Sequence, residues 1–329
     1  SLLRYKSKKW GCADVKRIIK AAIGILVVLV GITFLSFGLM HIGPGDPAEK
    51  YLAGGDGNKG IVSEEAIQAQ REKWGLDKPF LVQYVTWLGN ACKGDLGTSY
   101  STGKPVLQEL LSKIGPTVIL SVASIFVILL ISIPLGVLCA LYKDGIIDNI
   151  CRVISFVGIS LPSFLASLLL LYVFGVQLKW FSISGETGIK GLILPVAVLA
   201  FQCCAKLTRQ VRAAVLEELN KRYVQGAMAR GVSKRRILLI HVLRNAWMPI
   251  LTLSGIHFGV LLGGAAVVES IFSWQGLGQL AVSAVKSSDY MLLQGIVLWL
   301  AILYLIVNFA IDASYTVLDP RVRKGANHK

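Results

Sequence analysis

The sequence predicts an all-α, polytopic membrane protein with six transmembrane helices. Hydrophobic residues make up 54% of its 329 residues and charged residues only 16%. A soluble domain carries about 25% charged residues, so this composition indicates that lipid is the main solvent. The sequence also contains several charge-free runs of about 20 residues, the length that a helix needs to cross a hydrocarbon core of about 30 Å. The predicted fold class follows from these two observations.

Six segments are candidate spans. Five of them contain no Asp, Glu, Lys or Arg: residues 21–42, 114–142, 153–178, 245–268 and 290–311. The sixth, residues 191–205, is shorter, and it reaches a spanning length if Lys206 extends its ammonium group to the interface. The first run is too long for the apolar region of a cleavable signal peptide and lacks an Ala-x-Ala exit, so we expect it to remain as a helix. Pro134 and Pro162 are expected to kink the second and third spans.

The distribution of basic residues predicts the orientation. They are concentrated in residues 1–20, in the loop 209–245 and in the tail 312–329. Because cytoplasmic flanks of membrane helices are rich in Lys and Arg, we expect all three segments, and therefore both termini, in the cytoplasm. Residues 43–115 then form an extracytoplasmic segment, and residues 116–311 form a five-helix core that includes the cytoplasmic loop. This bias explains the net charge of +15, so we expect no nucleic-acid partner.

The extracytoplasmic segment is too long to lack structure of its own. Ser63, at the head of a stretch rich in Glu, Gln and Ala, predicts a helix over residues 63–74. Apolar residues four apart predict a second helix over residues 79–88. The glycine-rich residues 54–60 predict a turn or a mobile loop.

Motifs for catalysis or resident metals are missing from the sequence. There is no Gly-x-x-x-x-Gly-Lys-Ser/Thr phosphate loop, no His-Glu-x-x-His and no Gly-x-Ser-x-Gly. The six cysteines are scattered and form no Cys-x-x-Cys, so neither a zinc site nor a disulfide framework is predicted. We therefore predict a transport subunit that is not an enzyme, with no catalytic residues and no cofactor bound by this chain.

The loop between the fourth and fifth spans carries the most informative motif. Small residues at Gly226, Ala227 and Ala229 precede Gly231, which is expected to end a short helix, and Ser233, which can cap the next one. A surface of small residues lets another protein approach closely. On the residues alone, the loop is either such a docking surface or a solvated basic segment that only fixes the orientation.

This loop resembles the conserved cytoplasmic loop of binding-protein-dependent ABC importer permeases. The general pattern is Glu-Ala-Ala, three residues and Gly, followed at a distance by Leu-Pro. Ala227, Gly231 and the Met-Pro pair at 248–249 match it, whereas Gln225 or Gly226 replaces the Glu.

Other motifs are similar to the peptide and nickel branch of that family. In the loop, the branch has Tyr-Val followed by Gly-Leu-Ser, and this chain has Tyr-Val at 223–224 and Gly-Val-Ser at 231–233. Further motifs of the branch occur in order along most of the chain, at residues 43–47, 75–79, 94–97, 160–164, 269–278 and 318–321.

The resemblance implies the architecture of a type I ABC importer permease, multi-pass in a bacterial inner membrane. It implies as partners a second permease subunit, two ATPase subunits that bind ATP and Mg, an extracytoplasmic solute-binding protein and the lipid bilayer. It also implies that the loop forms the helix that couples to an ATPase, through Tyr223, Gly226, Ala227, Arg230 and Gly231.

Residues of the fifth span indicate which solute is transported. Peptide permeases of the branch carry Gln in a Gly-x-Gln-x-Gly context, whereas this chain has His257 between Gly255 and Gly259, which resembles the nickel permeases, their B subunit in particular. Neutral imidazole is a good nickel ligand, so we expect nickel or a nickel chelate as the solute and His257 as a candidate metal ligand. Di- or oligopeptides are the alternative, and a stand-alone secondary transporter or channel is the alternative from another class. Gly255, Gly259 and Gly263, four residues apart, also predict close helix packing.

Four ionisable residues are candidates for the translocation path: His257, Glu269, His41 and Asp46. An ionisable residue within a span is a functional candidate by default. Each has a simpler interpretation. His257 can be a neutral side chain bonded to a neighbouring helix, and His41 can lie at the headgroup interface. Asp46 can be a turn or helix cap, and Glu269 a rim charge, a gate or a contact for the binding protein.

Overall fold

The computed structural model describes residues 12–42, 45–53, 63–183, 185 and 188–318, and the structural statements below concern these residues. Three predicted segments lie outside them: the basic segment before Cys12, the glycine-rich residues 54–60 and the tail beyond Leu318.

The described residues are predominantly helical. In chain order the helices are α1 (Cys12–Ile42), α2 (Pro47–Leu52), α3 (Glu64–Trp74), α4 (Phe80–Ala91), α5 (Val106–Leu141), α6 (Ile146–Ser160), α7 (Ser163–Leu170), α8 (Gly188–Leu219), α9 (Arg222–Ala229), α10 (Lys234–Arg236), α11 (Leu243–Gly264), α12 (Ala266–Ile271), α13 (Leu277–Lys286) and α14 (Tyr290–Leu318). Two π-helical segments, Leu171–Gln177 and Ile237–Val242, continue α7 and α10. In this part of the chain, β-structure is limited to one isolated bridge between Thr98 and Pro105.

Among the described residues, five helices are long and apolar enough to cross a membrane, and a sixth unit qualifies when a bent pair of helices is counted as one span, which confirms the predicted fold class. Five are continuous: α1, α5, α8, α11 with the π-segment before it, and α14. The sixth is the pair α6 and α7, whose axes meet at 102°. In chain order the spans are α1, α5, α6–α7, α8, α11 and α14.

Proline causes the break in the third span. Leu161 is extended, with φ −81° and ψ 117°, because the ring of Pro162 disfavours the helical conformation of the residue before it. Pro162 also lacks the N–H that would continue the hydrogen-bond ladder of α6. The predicted kink at Pro162 is therefore confirmed, whereas α5 continues as a helix through Pro116 and Pro134.

The helices extend beyond the charge-free runs that predicted them. The fourth span was predicted over residues 191–205, but α8 continues to Leu219. The second was predicted from residue 114, but α5 begins at Val106. A charge-free run marks the part of a helix that lies in hydrocarbon. The helix itself can continue in water, where packing of one face stabilises it.

The two helices predicted between the first and second spans are present. α3 begins after Ser63, whose side chain accepts a hydrogen bond from the Ala66 N–H, and ends at Gly75, which has a φ of +68°. α4 packs on the first span through Tyr84, whose hydroxyl donates to the Val30 carbonyl at 3.1 Å.

Glycines allow the spans to approach closely. At Gly136 of α5, an added Cβ would lie 2.7 Å from Val211 Cβ and 2.9 Å from the Thr208 carbonyl oxygen, both on α8. Two of the three glycines predicted to pack do so against α14. A Cβ at Gly255 would meet Ile311, and one at Gly259 would meet Tyr304, whereas nothing lies within 4 Å at Gly263.

We predict that Gly136→Ala destabilises the protein by about 1–3 kcal/mol, because the new methyl group has no room between α5 and α8. Gly115→Ala is the matched control. It lies on the same helix with nothing within 4 Å of the added Cβ, and alanine favours the helix there. The measurement is thermal unfolding of both variants in the same detergent. Equal unfolding temperatures would contradict the close packing.

Candidate functional site

The short helix α9 lies between the fourth and fifth spans, where the sequence predicted it. It ends as predicted at Gly231, which has a φ of +76°. The Gly231 N–H donates to the Met228 carbonyl at 2.9 Å and the Val232 N–H to the Ala227 carbonyl at 3.2 Å. This pair of bonds is a Schellman motif, and the left-handed conformation that it requires explains the glycine.

α9 has an inner and an outer face. Val224 and Ala227 are 0% and 3% exposed and belong to the main hydrophobic core, which also contains Val215, Ile237 and Val242. The outer face consists of exposed residues that include Gly226, Met228, Arg230 and Gly231. Among the residues predicted to couple to an ATPase, Ala227 therefore lies in the core and positions the helix, whereas Gly226, Arg230 and Gly231 face outward.

Tyr223 joins the two spans on either side of α9. Its hydroxyl donates to Glu218 Oε2 at 2.7 Å, at the end of α8. It also accepts from Asn245 Nδ2 at 3.1 Å, at the start of α11. Glu218 also forms an ion pair with Lys221. Burial raises the pKa of the Tyr223 hydroxyl above its ordinary value, so it remains protonated as the donor to Glu218 at neutral pH.

His257 contacts the neighbouring fourth span. It is 7% exposed, and its Nε2 lies 3.0 Å from Gln210 Oε1 on α8. This contact is the one expected of a histidine bonded to another helix. No group of three or more His, Cys, Asp or Glu side chains that could hold a metal ion occurs among the described residues.

His41 and Asp46 lie together, at the end of the molecule that contains α2 to α4. The His41 ring stacks on Phe37 with 5.5 Å between centroids and meets Phe80 edge-on at 5.2 Å. Asp46 caps α2 by accepting the Ala48 N–H at 2.9 Å, and it accepts from Arg71 Nε at 2.6 Å. Both residues line one shallow cavity with Arg71. The alternative interpretation of Asp46 as a helix cap thus describes its contacts.

Glu269 is completely buried on α12, the short helix that follows the fifth span. It accepts from Thr117 Oγ1 at 3.1 Å and from the Gln279 N–H at 3.0 Å, at the start of α13. A Cβ at Gly276 or Gly278 would lie 2.5 or 2.8 Å from Glu269 Oε2. The motif at 269–278 therefore consists of a buried carboxylate and the two glycines that let backbone approach it. Of the four path candidates, His41 and Asp46 line one cavity, whereas His257 contacts Gln210, and Glu269 contacts Thr117 and Gln279.

Three buried carboxylates were not singled out by sequence reasoning: Glu218, described above, and Asp289 and Asp148. Asp289 is 0% exposed; it accepts from Ser99 Oγ at 2.5 Å and from the Leu292 N–H at 3.1 Å, which caps α14. Its position just before an apolar run was a usable capping signal. Asp148 forms the other site.

Asp148 joins the third span to the fourth. It is 1% exposed, and Arg212 donates from Nε to Oδ1 at 2.7 Å and from its terminal nitrogen to Oδ2 at 2.8 Å. Arg152, one turn further along α6, donates to Oδ2 at 3.0 Å. The pair Asp148 and Arg152 has helical spacing, but nothing in the sequence relates Asp148 to Arg212, which is 64 positions away.

Comparison with known proteins identifies the family of sequences to which these features correspond. Residues 132–324 match the family described as binding-protein-dependent transport system inner membrane component, and residues 15–123 match the N-terminal region of such components. A putative peptide permease protein of Brucella suis is 36% identical over 91% of this chain and 96% of its own length. A probable peptide ABC transporter permease of Sinorhizobium fredii is 34% identical over 93% and 98%. The glutathione transport system permease protein of Escherichia coli K12 is 33% identical over 93% and 98%.

A solved structure shares the fold. An inward-facing conformation of the MetNI methionine ABC transporter contains a chain that superposes with a TM-score of 0.55. The match covers 65% of this chain and 97% of that one, at 20% sequence identity.

We predict that Glu269→Gln lowers the stability by about 1–3 kcal/mol, because an amide keeps only one of the two oxygens that accept from Thr117 Oγ1 and from the Gln279 N–H. Glu217→Gln is the control, since Glu217 is exposed on α8. Thermal unfolding and solute transport are measured on both variants. Unchanged unfolding together with altered solute selectivity would mean that Glu269 lies in the path.

Proposed function

Because this chain belongs to the family of binding-protein-dependent transport system inner membrane components, we propose that it is the permease of an ATP-driven importer for short peptides. Family membership makes it a membrane transport subunit of an ABC importer, not the ATPase, with the fold of a type I importer permease. The proposal concerns the solute, the partners and the residues that act.

The peptide assignment depends on one observation. Relatives named as peptide or glutathione permeases match more than nine-tenths of this chain at 33–36% identity. The sequence-based expectation of nickel depended on His257 as a ligand. In the structure that imidazole is bonded to Gln210, and the described residues offer no cluster that could complete a metal site. The comparisons thus favour the peptide alternative over nickel.

The proposed partners are a second permease subunit, two ATPase subunits that bind ATP and Mg, and an extracytoplasmic solute-binding protein. The outer face of α9 would contact an ATPase in the cytoplasm, with both termini of the chain on the same side. α9 is suited to this role because its inner face is part of the core and Tyr223 connects it to both adjacent spans. A displacement of α9 would therefore move the adjoining parts of the fourth and fifth spans with it.

We predict gene-dependent uptake of a radiolabelled dipeptide, reduced by excess unlabelled peptide, when cells with and without this gene are compared. Nickel uptake should be the same in both. Gene-dependent nickel uptake that excess dipeptide does not reduce would contradict the proposal and restore the metal assignment. Transport by the purified chain alone, without ATPase subunits, would contradict an importer altogether and favour a stand-alone carrier or channel.

We predict that Gly226→Trp abolishes co-purification of the ATPase subunits and reduces transport by at least tenfold. Gly226 is exposed, and a Cβ there meets nothing within 4 Å, so an indole can project from α9 without disturbing the permease itself. Gly89→Trp is the matched control, because Gly89 is also an exposed helical glycine with nothing within 4 Å, but on α4. Normal co-purification with the Gly226 variant would remove α9 from the ATPase interface.

A further inference from the structure

A cavity of about 560 Å³ lies beside α8, between the third and fourth spans and next to the contact between His257 and Gln210. Its lining includes Gln210, four cationic side chains and one carboxylate. The charged residues are Asp148, Arg152, Lys206, Arg209 and Arg212. Its charge is therefore strongly positive.

The carboxylate in this cavity is already engaged. Asp148 accepts hydrogen bonds from two nitrogens of Arg212 and one of Arg152, and Arg152 also pairs with Asp144, so these four side chains neutralise one another. Lys206 and Arg209 are exposed and form no ion pair with any described residue. These two side chains, one helical turn apart on α8, supply the excess positive charge.

Lys206 lies close to the boundary of the hydrocarbon. The charge-free run before it, residues 191–205, rises about 22 Å at 1.5 Å per residue, which is less than the hydrocarbon core of about 30 Å. Lys206 therefore lies at or within the boundary of the hydrocarbon. A cation is costly at that depth unless it faces water, an anion or protein.

We propose that this cavity binds the carboxylate group of the transported solute, with Lys206 and Arg209 as the residues that recognise it. The proposal rests on the proposed function, because peptides carry an α-carboxyl group that is ionised at neutral pH. Ammonium and guanidinium groups are the donors that bind carboxylates most strongly. The same charge would repel a free nickel dication. Gln210 lines the cavity and also contacts His257, so the cavity between the third and fourth spans adjoins the contact between the fourth span and the fifth.

The test uses the complete importer, with its ATPase subunits, second permease and binding protein, reconstituted in vesicles. Uptake of alanyl-alanine and of its C-terminal amide, which lacks the carboxylate, is measured for the wild type and for the double variant Lys206→Gln, Arg209→Gln. Removal of the cations should reduce alanyl-alanine uptake by roughly tenfold or more and reduce uptake of the amide much less. Selectivity of the binding protein cancels, because each ratio compares the variant with the wild type.

Two controls accompany this experiment. The charge-conserving variant Lys206→Arg should retain the wild-type ratio. Lys190→Gln, which removes an exposed lysine near the start of α8, should leave both rates unchanged. Vesicles prepared with and without phosphatidylglycerol separate the solute from a lipid headgroup as the source of the anion.

Several outcomes would overturn the inference. They are equal rates in variant and wild type, an equal loss for both peptides, an effect confined to vesicles that contain phosphatidylglycerol, or loss of the second permease or the ATPases from the purified variant. Failure of the wild-type importer to move either peptide would instead overturn the proposed function. The two failures are thus distinguishable.

Discussion

Four buried carboxylates hold the ends of the helices together, and the arrangement of the spans depends on them: Asp148, Glu218, Glu269 and Asp289. Each accepts hydrogen bonds from at least one other element or from a helix N-terminus. Burial removes water as a hydrogen-bond donor, so a carboxylate without these partners would cost several kcal/mol. The middles of the helices are fixed differently, by close contacts such as that of Gly136 with α8, where a single methyl group has no room. Polar bonds at the ends and glycine contacts between them therefore determine the fold jointly.

The same interactions make α9 part of a larger unit. Glu218, Tyr223 and Asn245 form a chain of hydrogen bonds that connects the end of α8 to the start of α11. The two spans are joined again where Gln210 meets His257. A helix held at both ends and packed into the core cannot move alone. Conformational switching in a packed protein occurs between discrete arrangements of such units. The geometry of α9 therefore suits the transmission of a displacement more than flexible tethering.

Sequence reasoning recovered features whose cause is local. Hydrophobicity predicted the six spans, and the chemistry of single residues predicted the helix start at Ser63, the break at Pro162 and the helix end at Gly231. It could not assign contacts across long separations. The local context of His257 suggested a metal ligand, whereas its partner Gln210 lies 47 positions away on another span. Ala227 matched a family motif, but only packing showed that its side chain points into the core.

The orientation of the chain in the membrane does not by itself explain the cations Lys206 and Arg209 at the end of the fourth span. The loop after α8 already contains enough basic residues to orient the chain: Lys221, Arg222, Arg230, Arg235, Arg236 and Arg244. Lys206 adds little to that signal, yet it shortens the apolar run of its span to 15 residues, from 191 to 205. A charge in such a position is retained most readily where it performs a task at that depth. α8 also continues to Glu218, which connects it to α9. Recognition of the solute carboxylate and coupling to ATP hydrolysis would then act on one helix, so that the unit displaced by the ATPases is the one that holds the solute.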